Sequence, residues 1–197
     1  MLIIGVTGGT GAGKTTLLRV LEKRGAEIID CDALYAELLQ NDETLRTALK
    51  DAFGEIFSPQ GALERKKLGE LVFGNADNMQ RLNEIVFRFV YRAVERKIGK
   101  SRAKIVAVEA INLIQSRISE LCEVTVGVVA PKPIRLVRIM ARDGIDREYA
   151  EKRIEAQQPD AFYFEHCDYV LKNDFAKERL YRQRCEELLD EITEEYL

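Results

Sequence analysis

Residues 8 to 15, Gly-Gly-Thr-Gly-Ala-Gly-Lys-Thr, match the pattern G-x-x-x-x-G-K-[ST] of a phosphate-binding loop. Glycines let such a loop curl so that successive backbone N–H groups face an oxyanion, and the next helix adds partial positive charge at its N-terminus. Lys14 can reach the β- and γ-phosphates, and the Thr15 hydroxyl can ligate Mg2+. We therefore predict that a nucleotide binds to Gly11, Ala12, Gly13, Lys14, Thr15 and Thr16.

Carboxylates follow two of the apolar runs that we expect to form strands. Asp30 and Asp32 follow the second run, and Glu109 ends the third. Because the carboxyl ends of parallel strands face one crevice, a carboxylate there can accept the proton of a hydroxyl that attacks a phosphate. We favour Asp32 as this base; for both aspartates the alternative is capping of the next helix. For Glu109, orienting Mg2+ through water and lying in a surface turn both stay open.

Three arginines, Arg135, Arg138 and Arg142, are spaced by three and four residues, which places them on one face of a helix. Two further arginines follow after a glycine, so residues 135–158 are predicted to form a lid that closes over phosphates and excludes water. The alternative is a solvated helix whose arginines pair with neighbouring acids. We favour a catalytic role for Arg142.

The composition limits the classes of protein that this chain can represent. Its 197 residues suit one domain with an insertion, and the net charge of −3 argues against a general attraction to nucleic acid or to an anionic membrane. There is no apolar run of bilayer length and no pattern of a cleavable leader, so we expect a cytoplasmic protein, most simply a monomer. Because the chain has one histidine, proton transfer falls to a carboxylate.

Short apolar runs alternate with helical patterns, which predicts one α/β domain over residues 1–197, a doubly wound parallel sheet of about five strands of the P-loop kinase type. The strands are expected at residues 2–6, 26–29, 104–109, 124–129 and 169–171, the last at an edge. Helices are expected from about Leu113, Pro133, Asp146 and Phe175. Residues 33–100, between the second and third strands, carry helical stripes and are predicted to form an inserted acceptor-binding subdomain.

Other classes of P-loop protein are disfavoured by motifs that the sequence lacks. It contains neither the Asn-Lys-x-Asp tetrad of a guanine-specific switch nor the Leu-Ser-Gly-Gly-Gln signature of a transporter ATPase. A kinase for a small acceptor is the favoured reading. A kinase for a nucleoside or nucleotide, and a regulator that binds a nucleotide without catalysis, stay as alternatives.

Five ordered motifs resemble the dephospho-coenzyme A kinase family. They are "GVTGGTGAGKTT", "IIDCDAL", "RKKLGELVF", "VRIMARDGIDREYAEKRIEAQ" and "HCDYVLKND", and together they extend over nearly the whole chain. The resemblance implies that ATP phosphorylates the ribose 3′-hydroxyl of dephospho-coenzyme A, giving coenzyme A and ADP. It also implies that residues 33–100 form the coenzyme A subdomain.

The same resemblance assigns roles to individual residues. Asp32 matches the general base, Thr7 lies on the substrate side of the loop, and Arg65 contacts the acceptor. Arg142 is the lid arginine at the phosphates, and Asn173 lies near the adenine. Two segments depart from the family pattern on the acceptor side. Phe87-Arg88 replaces a usual His-Pro, and residues 111–115 replace a usual Pro-Leu-Leu-Phe-Glu.

Overall fold

The computed structural model describes residues 1–174 and 177–197. Its strands are β1 (Leu2–Gly8), β2 (Glu27–Asp30), β3 (Ile105–Glu109), β4 (Val124–Val129) and β5 (Tyr169–Lys172). Its α-helices are α1 (Lys14–Lys23), α2 (Cys31–Asn41), α3 (Glu43–Phe53), α4 (Arg65–Val72), α5 (Ala76–Lys100), α6 (Lys132–Asp143), α7 (Arg147–Glu155), α8 (Asp160–His166) and α9 (Glu178–Tyr196). They form two compact units, a core unit (Met1–Ile29 and Ser101–Leu197) and a helical unit (Asp30–Lys100).

The five strands form one sheet in the order β2-β3-β1-β4-β5. Strand β1 pairs in parallel with β3 and β4, and β4 pairs in parallel with β5 at the edge. Every residue of β1 and β4 is buried, as expected for interior parallel strands covered on both faces. The register sets Val6 beside Glu109 and Gly8 beside Val128, so these strands end at one edge. The prediction of a parallel α/β sheet is confirmed.

Two apolar clusters stabilise the core unit. The larger one joins the strands to α1 and α9, through residues such as Leu17, Leu21 and Leu189. The smaller one joins α6 to α7 through Leu136, Ile139, Ala150 and Ile154. Because burial of apolar side chains is the main favourable contribution to folding, α6 and α7 hold each other through their own small core.

The helical unit is organised around α5, which packs against α2, α3 and α4. The apolar stripe of α5 is buried only in its second half, at Val90, Ala93, Val94 and Ile98. The first half of the stripe is half-buried, at Leu82, Ile85, Val86 and Phe89. The first half of α5 therefore keeps apolar surface accessible.

The helices differ from the sequence-based expectations in two places, and one further expected helix start lies outside the described residues. The helix expected from about Leu113 does not form, and turns over residues 111–117 lead into a 3₁₀ helix, Ile118–Leu121. The Ser116 N–H and hydroxyl both donate to the Asn112 carbonyl, at 2.9 and 2.6 Å, but Arg117 then adopts a left-handed φ of 61, which ends the turn before a helix can extend. Helix α8 was not predicted, because its 7 residues are too few to show a period. The helix start expected at Phe175 lies outside the described residues, and α9 begins at Glu178.

Across residues 1–174 and 177–197, no helix is both long enough and apolar enough to cross a membrane.

The N-cap of α3 gives a prediction about the stability of the helical unit. Asp42 Oδ1 accepts hydrogen bonds from the N–H groups of Thr44 and Leu45, both at 3.0 Å. Its pKa is lowered from 3.8, first by the hydrogen bond from the Thr44 hydroxyl. Asp42→Ala should lower the free energy of unfolding by about 1 kcal/mol at neutral pH, as measured by urea denaturation.

The same cap should make this difference depend on pH. Because the folded-state pKa is below the unfolded value, the cap stabilises at neutral pH and loses its effect as acid protonates the folded carboxylate. The gap between wild type and Asp42→Ala should therefore close as pH falls below 3.8. Asp51→Ala, at an exposed aspartate of the same helix, is the matched control. An equal loss in both variants would contradict the assignment of the cap.

Candidate active site

The phosphate-binding loop joins the end of β1 to the start of α1. Gly13 is the N-cap of α1 with φ 116, a value that side chains rarely adopt. A Cβ at Gly13 would also lie 2.2 Å from Asn173 Nδ2, so only glycine fits. The first turn of α1 contains no acidic residue. The positive end of the helix dipole is therefore available to an anion.

Side chains outside the loop bind four consecutive loop carbonyl groups. The donors are Arg135 Nε to Thr10 at 2.9 Å, Arg138 Nη1 to Gly11 at 3.2 Å, Asn173 Nδ2 to Ala12 at 2.8 Å and Tyr181 Oη to Gly13 at 3.4 Å. In a trans peptide the C=O and the next N–H point in opposite directions. The N–H groups of Gly11, Gly13 and Lys14 are therefore turned away from these side chains, in the direction that phosphate oxygens require.

Lys14 is held where the loop meets the ends of β1 and β3. Its Nζ donates to the Gly8 carbonyl at 2.8 Å and lies 3.4 Å from Glu109 Oε1. Both charged side chains are largely buried, with 12% and 13% exposure, which strengthens their attraction compared with a surface pair. Such an ammonium can exchange these contacts for phosphate oxygens, so the pair suits a site that accepts an anion.

Arg142 lies at the end of α6 and reaches the loop. Its Nε and Nη2 donate to Asp143 at 2.6 and 2.9 Å, and Nη2 also donates to Thr10 Oγ1 at 3.3 Å. Arg153 shares the same aspartate. The hydrogen bond between Arg142 and Asp143 raises the pKa of the guanidinium and lowers the pKa of the carboxyl. Arg142 therefore stays charged, and at 56% exposure its side chain is accessible to a ligand.

The other predicted residues of the core unit differ in exposure. Thr15 is exposed and Thr16 is half-buried, both in the first turn of α1. Thr7 is buried, and its hydroxyl donates to the Ile111 carbonyl at 3.1 Å. Asn173 is 2% exposed, and its observed contacts are with the loop and with Arg138. The substrate contact of Thr7 and the adenine contact of Asn173 stay predictions.

Asp32 and Arg65 belong to the helical unit. Asp30 is the N-cap of α2, and its Oδ1 accepts from the N–H of Asp32 at 2.9 Å and of Ala33 at 3.0 Å. Asp32 is exposed in the first turn of that helix. Arg65 is the exposed first residue of α4, and its charge partly offsets the rise that burial causes in the pKa of Tyr35.

The structure adds residues that the motif alone did not mark. Arg135 was predicted on the arginine face, but its burial to 5% exposure was not. Thr10, Gln157 and Tyr181 also join the loop network. The spacing of the arginines indicated a shared face, but no local pattern shows which residue of such a face is buried. Gln157 ends one of the quoted motifs, which was its only signal.

A parallel sheet with a phosphate-binding loop between its first strand and helix defines a P-loop protein that binds a nucleotide. Comparison with known proteins narrows this class. The sequence profile of the family described as "Dephospho-CoA kinase" matches residues 2–178. A relative named dephospho-CoA kinase, from Dehalococcoides mccartyi, is 36% identical over 193 residues, which cover 96% of each chain. The chain belongs to the dephospho-CoA kinase family, and it is a kinase.

Two solved structures share the fold of this chain. The Thermus thermophilus protein TT1252 superposes with a TM-score of 0.81 at 30% identity, covering 100% of this chain and 98% of that one. The dephospho-CoA kinase from Campylobacter jejuni gives a TM-score of 0.67 at 22% identity, with 99% and 98% coverage. At that identity the second likeness supports the fold alone.

Asn173 supplies a prediction about the loop. Its Nδ2 donates to Ala12, and its Oδ1 accepts from Arg138 Nη2 at 3.2 Å. Asn173→Ala removes the Nδ2 donor to the Ala12 carbonyl and one acceptor of Arg138, whose Nη1 keeps its contacts with the Gly11 and Ala12 carbonyls at 3.2 and 3.4 Å. The loss should cost about 1 kcal/mol of folding stability and weaken ATP binding. Thermal unfolding and calorimetric titration with ATP measure the two effects.

A charged replacement sharpens this test. Asn173→Asp keeps the acceptor for Arg138 but sets a second oxygen against the Ala12 carbonyl, so it should also weaken ATP binding. Asn112→Ala, at an exposed asparagine of the core unit, is the control and should change neither quantity. Unchanged ATP affinity in Asn173→Ala would refute a role for Asn173 in shaping the loop.

Proposed function

We propose that this chain transfers the γ-phosphoryl group of ATP to the ribose 3′-hydroxyl of dephospho-coenzyme A, giving coenzyme A and ADP. The hydroxyl oxygen forms a bond to the γ-phosphorus, the bond from that phosphorus to the bridging oxygen breaks, and the hydroxyl proton passes to a base. The observation that carries the proposal is similarity over nearly the whole length to relatives with that name.

On the donor side, the loop binds the triphosphate through the N–H groups of Gly11, Gly13 and Lys14. The Lys14 ammonium moves from its contacts with Gly8 and Glu109 to the phosphate oxygens. Arg142 neutralises charge on the transferred phosphoryl group, because it is exposed and already reaches Thr10. Residues 135–158 act as the lid that excludes water.

Mg2+ fits the residues at the start of α1. The Thr15 hydroxyl is exposed in the first helical turn, and Mg2+ usually takes one or two protein oxygens together with phosphate oxygens and water. Glu109 ends β3, its carboxylate lies beside Lys14, and it can orient a water molecule bound to Mg2+. When bound, Mg2+ neutralises charge on the β- and γ-phosphates.

On the acceptor side, the helical unit supplies the remaining groups. Asp32 serves as the general base, since the N-cap role belongs to Asp30 and the Asp32 side chain is exposed. Arg65 binds an anionic group of the acceptor from the start of α4. The half-buried first part of the α5 stripe offers apolar surface to a bulky acceptor. Cytoplasmic location, a monomeric state and the lack of nucleic-acid binding stay predictions from composition.

An acceptor panel tests the proposed reaction. ADP release is followed in a coupled assay with dephospho-coenzyme A, adenosine, cytidine and AMP, each with and without Mg2+. We expect turnover with dephospho-coenzyme A that chelation of Mg2+ abolishes. Turnover with a nucleoside or with AMP but none with dephospho-coenzyme A would exclude the proposed acceptor. ATP binding without turnover of any acceptor would favour a regulator.

The role of Asp32 gives a separate prediction. Asp32→Asn removes the proton acceptor, so kcat should fall by about 10²- to 10⁴-fold while the dissociation constant for ATP stays unchanged. Asp77→Asn, at an exposed aspartate in the first turn of α5, is the matched control. Rapid-quench measurements of coenzyme A formation in a single turnover report the rate of the chemical step. If kcat of Asp32→Asn equals that of Asp77→Asn, Asp32 is not the base.

A further inference from the structure

Three residues from the predicted lid segment meet at one loop residue, Thr10. The Thr10 N–H donates to Gln157 Oε1 at 2.8 Å, and the Thr10 carbonyl accepts from Arg135 Nε at 2.9 Å. The Thr10 hydroxyl accepts from Arg142 Nη2 at 3.3 Å. Thr10 is 6% exposed, so these contacts are made largely out of water. Residues at both ends of the segment are therefore fixed to the same point of the loop.

Gln157 accepts two hydrogen bonds at this point. Besides the Thr10 N–H, its Oε1 accepts from Arg135 Nη2 at 2.8 Å. Arg135 is buried, and burial lowers the pKa of its guanidinium, although Asp160 Oδ1 lies 4.0 Å from its Nη1. One neutral oxygen thus satisfies a backbone donor and a donor of a buried cation. Loss of that oxygen would leave both donors buried without this partner.

The geometry around Thr10 fixes two successive peptide groups. Gln157 holds the peptide between Gly9 and Thr10 through its N–H, and Arg135 holds the peptide between Thr10 and Gly11 through its C=O. The Gly11 N–H belongs to the second peptide and points away from Arg135. Release of either peptide would let this N–H turn away from a phosphate. Gln157 therefore contacts Thr10 and Arg135, and its effect on a bound nucleotide passes through the conformation of the loop.

We propose that Gln157 is a positioning residue for ATP, which acts through Thr10 and Arg135 to hold the loop in the shape that receives the phosphates. The inference depends on the proposed function only in taking ATP as the nucleotide. It does not depend on the identity of the acceptor. Gln157 should therefore affect ATP affinity, and should leave the KM of the acceptor unchanged.

The test uses Gln157→Met, which keeps the size of the side chain and removes the acceptor oxygen. The dissociation constant for ATP, measured by calorimetry without acceptor, should rise about tenfold or more. The KM of the acceptor, and kcat at saturating ATP, should stay close to wild type. The control is Gln183→Met, at an exposed glutamine of α9 outside the predicted lid, which should bind ATP as wild type does.

Amide hydrogen exchange of the ATP-free protein supplies a readout that is independent of activity. In Gln157→Met the Thr10 N–H should exchange faster, while the Val6 N–H inside β1 should stay as protected as in wild type. Equal acceleration at both positions would mean only a loss of global stability and would overturn the proposal. An ATP affinity equal to that of Gln183→Met, or a loss confined to kcat, would overturn it as well.

Gln157→Glu decides the case in which Gln157→Met does not fold. The carboxylate keeps an acceptor for both donors, and Arg135 Nη2 lies within reach to balance its charge. Protection of the Thr10 N–H as in wild type, with ATP binding close to that of Gln183→Glu, supports the proposal. Faster exchange at Thr10 in Gln157→Glu would overturn it. Because both measurements omit the acceptor, a failure of the proposed reaction would be seen separately.

Discussion

The phosphate-binding loop can present its N–H groups to an anion only if its carbonyl groups are bound somewhere else. Buried backbone carbonyls need partners, and the carbonyls of Thr10, Gly11 and Ala12 bind side chains from outside the loop. In this chain the partners come from α6, the end of β5 and α9, through Arg138, Asn173 and Tyr181 among others. Much of the C-terminal half of the core unit is thus arranged around one loop near the N-terminus.

The lid arginines take part in this arrangement in different ways. Arg135 and Arg138 donate to loop carbonyls, whereas Arg142 stays exposed and donates to Asp143 and to the Thr10 hydroxyl. The arginines on this face of α6 therefore have two roles within two helical turns. Arg135 and Arg138 support the loop, and Arg142 is a cation that a ligand can reach. The small apolar cluster between α6 and α7 keeps that face in place.

The number of strands, their parallel pairing and most helices followed from sequence, because the apolar period and Asp caps are local signals, whereas the order of the strands in the sheet was not predicted. Asp146 was such a signal for α7. The helix expected from Leu113 was wrong, because Arg117 adopts a left-handed φ of 61 and the chain there forms turns. The motif identified the residues of the loop. The burial of Arg135 and the hydrogen bonds of Gln157 depend on partners that lie 22 to 147 residues away in the sequence. Such contacts leave no periodic pattern in the chain.

The binding of the loop carbonyls also determines how much conformational freedom the loop still loses when a nucleotide binds. A flexible loop would lose roughly 1–2 kcal/mol of conformational entropy for each residue that it fixes around a phosphate. Here side chains from other elements of the fold bind the backbone carbonyls of residues 10 to 13. The loop loses this conformational freedom when the protein folds, so it is preorganised for binding. More of the free energy of its interaction with phosphate therefore contributes to affinity.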